Sequence, residues 1–431
     1  METITGIILF TSFFFLLWFG APIAIAIILS SVLAFLFVLP FDVAIMTAAQ
    51  RMITGIDNFT MLAIPLFVLS GVIMNAGGIA LRLVNLAKLL VGRLSGSMAH
   101  TNVVGNMLFG AIAGSSVASA AAIGRIMTPM QDKEGYKRTY SAAVNIASAP
   151  TGLIIPPSSV VIVYSLASGG TSVAALFMAG YIPGILWGLG VMAVAYFMAK
   201  KESYSVSSPP NLKMAMKIIG DAIPSLLLIV IVIGGIIAGI FTATEGAAVA
   251  VLYATILSLL HKRLRLQDMP MILKETIEIT GMILFLITAS ALFSLVMSYL
   301  GLPQAISNAL LSITENQTGI LLIMIATLLL VGTFMDITPG VLIFTPIFLP
   351  VAETFQMDPV HFGMILCFSL CIGNMTPPVG SALFVGATVA EVRIEQVVRT
   401  LIPFFAIVTF VLLLITFIPQ ISLFLPRLFG L

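Results

Sequence analysis

"SAPTGLIIPPSS" occupies residues 148–159 and "GNMTPPVGS" residues 373–381. Each places two adjacent prolines inside a stretch without Asp, Glu, Lys or Arg, the first spanning 139–199 and the second 359–390. Proline lacks a backbone N–H and clashes with the preceding turn, so one inside a helix costs about 3 kcal/mol. Two in a row, used twice in apolar segments, need a reason, and that reason decides the fold.

The chain has 431 residues, 60% hydrophobic and 8% charged, with a mean hydropathy of +1.17. Soluble domains carry about 25% charged residues, so most of this surface cannot face water, and the chain reads as a polytopic membrane protein in a lipid bilayer. A formal net charge of +2 gives no case for nucleic-acid binding. HExxH, Walker A and GxSxG patterns are absent, and there is no large soluble segment in which to build an enzyme. Cys367 and Cys371, the only cysteines, are spaced i,i+4 and read as a packed helix face, since a soft-metal site needs further ligands. The start, "METITGIILF", lacks the basic region and cleavage site of a signal peptide and reads as the beginning of the first span.

Spans need about 20 apolar residues. They are expected at 4–20, 22–39, 60–78, 139–168, 172–199, 219–240, 243–260, 278–300, 360–390 and 400–426. With the loop 200–217 in the cytoplasm, 16 of the 19 Lys and Arg fall on the cytoplasmic side, and Arg51, Arg125 and Arg427 do not. Both termini are then outside. Residues 79–94 and 264–279 have polar residues at helical spacing, with Arg82, Asn85 and Lys88 on one face, and are expected to lie in the interface plane.

A shift of 221 residues superposes Pro129 on Pro350, Ser148 on Ser369, Gly152 on Gly373 and Pro156-Pro157 on Pro377-Pro378. The loop "DKEGYKR" (132–138) has three basic residues, whereas its counterpart "ETFQMDPVH" (353–361) has two acids and no Lys or Arg. The halves are therefore inverted, as in transporters with a midplane site. Residues 94–124 form an uncharged run of 31, long for one span and short for two. A re-entrant hairpin with its tip at Gly114-Ser115-Ser116 resolves the length, and the repeat places a second tip in "GTFMDITPG" (332–340). Irregular backbone at membrane depth is tolerated only where it is buried or lines a cavity. A small-residue packing face is the alternative for 110–124, and a simple packing kink the alternative for the prolines.

The expected fold is thus all-α, with two inverted repeats, each holding a re-entrant hairpin and a broken helix. N-terminal spans occupy 1–40 and the first repeat 41–199, with hairpin 98–131. A cytoplasmic linker (200–218) and connecting spans (219–263) lead to the second repeat, 264–431, with hairpin 316–352. Broken helices free carbonyl oxygens for small cations. Candidate cation ligands are Ser115, Ser116, Pro150, Gly152, Asp336, Thr338, Gly373 and Thr376. Asp336 is open to three roles: ligand, counter-charge, or cap of the half-helix that follows. Arg125, about 15 Å past the first tip at 1.5 Å per residue, suits a carboxylate or snorkels to the interface. Ser116, Ser158 and Ser159 join it as candidate substrate ligands. Glu245 reads as a helix cap, and Asp57 and Asn58 as capping or packing residues before the third span.

At these residues the chain resembles the large membrane subunit of tripartite ATP-independent periplasmic (TRAP) transporters. The resemblance rests on "PLFVLSGVIMNAGGIALRL" (65–83), "GSSVASAAAIGRIMTPMQDKEGY" (114–136), "GGIIAGIFTATEGAAVAV" (234–251) and "MTPPVGSALFV" (375–385), in order. Thr242-Ala243-Thr244-Glu245 departs from the Thr-Pro-Thr-Glu typical of the family. The resemblance implies a scaffold domain and a mobile transport domain that moves as an elevator in the bacterial inner membrane. It also implies coupling to sodium (Na+), two or more ions bound, a small membrane subunit, and a periplasmic substrate-binding protein. Substrates would be organic acids, sialic acid or C4-dicarboxylates, and overall similarity points to the sialic-acid branch. A stand-alone divalent-anion/sodium symporter and an ion channel with re-entrant loops are the competing readings.

Overall fold

The computed structural model describes residues 2–202, 204, 211–261, 264–314 and 316–431, and these contain helices and no strand. The first half runs α1 (Glu2–Trp18), α2 (Ile23–Leu36), α3 (Phe41–Thr54), α4 (Ala63–Ala76), α5 (Ile79–Val91), α6 (Ser97–Ala113), α7 (Ser116–Lys133), α8 (Arg138–Ser148), α9 (Thr151–Ile154), α10 (Ser159–Ala167) and α11 (Val173–Lys201). The second runs α12 (Leu212–Ile237), α13 (Ala243–Leu260), α14 (Met269–Tyr299), α15 (Leu302–Ile313), α16 (Gln317–Gly332), α17 (Ile337–Thr354), α18 (Pro359–Asn374), α19 (Ser381–Val389), α20 (Ile394–Phe417) and α21 (Gln420–Leu428).

Seven of the described helices are long and apolar enough to cross a membrane, or eight counting the Arg138–Ile154 and Ser159–Ala167 segments, bent by 49°, as one span. The helices break where the sequence analysis places hairpin tips, at 114–115 and 333–336, and where it places the proline pairs. Ser116 and Ile337, Arg138 and Pro359, and Val173 and Ile394 open corresponding helices, each pair 221 residues apart. Ser115 and Asp336, the residues just before α7 and α17, keep the same spacing. The pairs α1–α2 and α12–α13 correspond more loosely, with α2 and α13 opening 220 residues apart and α1 and α12 ending 219 apart.

Between nonpolar helices in lipid, close packing of small residues replaces the hydrophobic drive available in water. The hairpins use it in the same way. A Cβ added to Gly152 would come within 2.2 Å of the Gly110 Cα, and one on Gly373 within 2.3 Å of the Gly332 carbonyl carbon. Backbone therefore meets backbone where α6 crosses α9 and where α16 crosses α18. Between the halves, the fully buried Trp187 ring lies 4.6 Å from Phe368, and Tyr164 donates its hydroxyl to the Pro359 carbonyl at 2.6 Å. Cys367 and Cys371 are free and buried on α18, as a packed face requires.

Two expectations change. Residues 264–279 do not form a separate interface helix, because α14 continues from Met269 to Tyr299. The first half breaks at the equivalent place with Gly55-Ile56-Asp57-Asn58, whereas Thr276-Ile277-Glu278-Ile279 contains no helix breaker. At 31 residues, α14 is ~46 Å long by the helix rise, so it overhangs a bilayer core of about 30 Å. The expected span 400–426 is also divided, with α20 ending at Phe417 and α21 starting after Pro419. Residues 79–91 do form a separate amphipathic helix, α5, which buries Leu83, Val84, Leu86 and Ala87. In the expected linker 200–218, residues 203 and 205–210 lie outside the described residues.

Candidate substrate and ion site

The first tip is made by Gly114, at φ +58° in the left-handed region that glycine tolerates. Its N–H closes α6 on the Gly110 carbonyl at 2.8 Å. Ser115 follows in extended conformation, and its hydroxyl accepts the Ala118 N–H at 3.3 Å, capping α7. The first break is tied to this tip because Ser159 donates its hydroxyl to the Gly114 carbonyl at 2.9 Å. The second break is tied to its own tip by the Val379 N–H, which donates to the Thr333 carbonyl at 3.0 Å.

Asn374, the last residue of α18, joins the two assemblies. Its Oδ1 accepts the Ser116 hydroxyl at 3.2 Å and the Ala382 N–H at 3.0 Å. Its Nδ2 donates to Asp336 Oδ1 at 3.2 Å and to Ser381 Oγ at 2.8 Å. Asp336 sits at the N-cap of α17, but its side chain makes no capping bond and turns to Asn374 and Ser381 instead. The capping role for Asp336 is therefore not taken, although its charge still lies beside a helix N-terminus that favours it.

A cavity of about 280 Å³ opens here. One wall comes from α4 and α14, and the other from the tips and breaks, including Ser115, Ser116, Ser159, Asp336, Thr338 and Asn374. Among the described residues, Glu275 and Asp336 are the only charged ones that line it, and no Lys or Arg does.

The other sequence candidates lie elsewhere. Ser158 is buried at the N-cap of α10, donating to the Leu153 carbonyl and accepting the Val161 N–H at 3.3 Å, so its hydroxyl serves the break itself. Pro150, at the N-cap of α9, is outside the cavity lining, Gly152 packs on Gly110, and Gly373 packs on Gly332. Thr376 returns its hydroxyl to the Ile372 carbonyl at 2.7 Å. Arg125 is exposed on α7, outside the cavity lining. Asn374 and Ser381 are not among the sequence candidates, although Asn374 is the only amide side chain in 359–390. Nor is a buried cluster in which Asn106 Nδ2 lies 2.9 Å from Asn102 Oδ1, 3.0 Å from Asn145 Oδ1 and 2.8 Å from Ser148 Oγ. That cluster ties α6 to α8, and Ser119 joins α7 to it by donating to Asn106 Oδ1 at 2.7 Å.

The expected helix cap is present: the Thr242 N–H donates to Glu245 Oε2 at 2.8 Å and the Glu245 N–H to Thr242 Oγ1 at 3.2 Å. Asn58 likewise accepts the Thr60 N–H at 2.9 Å.

Two hairpin tips and two interrupted helices around one cavity that carries hydroxyl, amide and carboxylate groups, in a chain this apolar, define a multi-pass membrane permease. The chain belongs to the family described as "Tripartite ATP-independent periplasmic transporter, DctM component", whose sequence model matches residues 10–421. It is 52% identical over 424 residues to YgiK of Salmonella typhimurium, covering 98% of each chain. It is 38% identical over 415 residues to the sialic acid TRAP transporter large permease protein SiaM of Vibrio cholerae, covering 96% of each. The fold resembles the crystal structure of the YdaH transporter of Alcanivorax borkumensis, described as having an unusual topology, with a TM-score of 0.64 over 87% of this chain and 88% of that one; at 13% identity this likeness concerns the fold alone. The chain is a transporter permease and not an enzyme, and an inner-membrane location agrees with the family.

Proposed function

We propose that this chain is the large membrane subunit of a sodium-coupled importer of an organic acid, of the sialic acid or C4-dicarboxylate class. The observation that carries the reading is the charge of the central cavity, which among the described residues is lined by Asp336 and Glu275 and by no basic residue. Like charges 4 Å apart repel by about 4 kcal/mol at an effective dielectric of 20, so a carboxylate substrate needs cations alongside it. Hydroxyls of Ser115, Ser116 and Thr338, the Asp336 carboxylate and the carbonyls freed at the breaks are oxygen donors of the kind that hold sodium in such folds. Sodium loading first and the organic anion second is the order this charge balance favours.

The reading includes an elevator movement of the tips and breaks along the α4–α14 wall. The family implies a small membrane subunit and a periplasmic binding protein as partners, and the name of the Vibrio cholerae relative supports sialic acid as the first substrate to test. The test is uptake by proteoliposomes holding this chain with its small subunit, supplied with a panel of loaded binding proteins. Uptake is expected only with an inward sodium gradient and a cognate binding protein. Uptake that needs neither would overturn the reading in favour of a stand-alone carrier or a channel.

A further inference from the structure

A second cavity, of about 390 Å³, shares four helical segments with the central one. On α14 the central cavity touches 275–283 and the second 287–294; on α17 the ranges are 336–338 and 342–346. The α10 segment gives 159–160 to the first and 166–167 to the second, while the α4 segment gives 67–75 to the first and Met61, just before α4, to the second. The two cavities are therefore stacked along one path, about one to two helical turns apart at 5.4 Å per turn.

Charge orients the stack. Placing the basic loops in the cytoplasm runs α10 and α14 outward, returns α17 outward from its tip, and runs α4 inward. All four segments then put the second cavity on the external side. Arg51 lines it, beside Asp57, Asn58, Ser290 and Ser294. Of the three basic residues outside the cytoplasmic loops, Arg125 lies within the first hairpin, which leaves Arg51 and Arg427 on the side that the charge rule depletes. The Arg51 Nε donates to the Ala291 carbonyl at 3.4 Å, and among the described residues its guanidinium forms no ion pair, with Asp57 or any other acid.

We propose that this cavity is an external vestibule that receives the organic anion, with Arg51 as the residue that attracts its acid group before it moves to the sodium-loaded cavity below. The proposal rests on the importer reading above and assigns its entry side. The two cavities divide the electrostatic work. A guanidinium suits first capture of an anion, and a site whose charged lining among the described residues is acidic then takes the anion once cations are in place.

The test reads access and potential without requiring transport. Ser294→Cys, in the full chain with its buried native cysteines, is labelled in right-side-out and inverted vesicles with two impermeant methanethiosulfonates of similar size, one bearing a sulfonate and one a trimethylammonium. Both are expected to react from the outside. Adding Arg51→Ala should slow the sulfonate reagent about threefold or more relative to the cationic one, as loss of a focusing charge requires, and Arg51→Lys should restore most of the ratio. Labelling from the cytoplasmic face alone, from neither face, or with a ratio unmoved by Arg51→Ala would overturn the vestibule. Because no uptake is measured, failure of sodium coupling would leave this result intact. In the uptake assay, Arg51→Ala should raise the half-saturating concentration of loaded binding protein several-fold with the sodium half-saturation unchanged; a fall in maximal rate alone would overturn the capture role.

Discussion

Asn374 Nδ2 lies 3.2 Å from Asp336 Oδ1, while the oxygen of the same amide accepts the Ser116 hydroxyl from the other hairpin. One side chain thus fixes an acid on one tip and a hydroxyl on the other. A hydrogen bond to a charged group is worth about 1.5–3 kcal/mol. Asn374→Ala is therefore expected to raise the sodium concentration for half-maximal uptake about tenfold or more, measured by sodium titration in proteoliposomes. An unchanged titration would mean that the amide only packs.

Asp336→Asn keeps the size of the side chain and removes the charge from a cavity that has one other acid among the described residues. If that charge balances bound sodium, uptake should fall strongly while the variant still elutes as a monodisperse particle in detergent. Retained sodium dependence would move the counter-charge to Glu275.

The glycine contacts give a stability test. Gly152→Ala and Gly373→Ala each press a methyl into opposing backbone, which cannot swing aside as a side chain can. Overpacking costs about 1–3 kcal/mol or more, so both should lower the unfolding temperature in detergent. Gly220, within α12, has nothing within 4 Å of an added Cβ, and Gly220→Ala should be neutral or stabilising by up to about 1 kcal/mol.

Arg125 and Ser159 separate two readings of substrate contact. Ser159 lines the central cavity and Arg125 does not. Ser159→Ala is expected to change the half-saturating substrate concentration more than Arg125→Ala does. The reverse order would bring Arg125 into contact with substrate in a different arrangement of the hairpin.

The tips and breaks were legible because glycine, serine and paired prolines are conspicuous against leucine and isoleucine, and because the 221-residue offset marks them twice. The continuous α14 was not, since charged Lys274, Glu275 and Glu278 look like a helix lying flat when only their periodicity is read. Asn374 was visible as a residue but not as a junction. Its partners Ser116 and Asp336 lie 258 and 38 residues away, and no local pattern encodes such distances. The second cavity was hidden for the same reason: Arg51 and Ser294 meet only through folding.

The correspondence of α1–α2 with α12–α13, and the shared register of both tips and both proline breaks, divides the chain into two copies of one unit. Ser116 and Ser159 belong to the first copy, and Asp336, Thr338 and Asn374 to the second, yet all five border one cavity. A single copy would supply only part of the lining of that cavity. An ancestor with one copy would have had to work as a dimer of chains inserted in opposite directions, and fusing the two genes would have made that antiparallel pairing permanent.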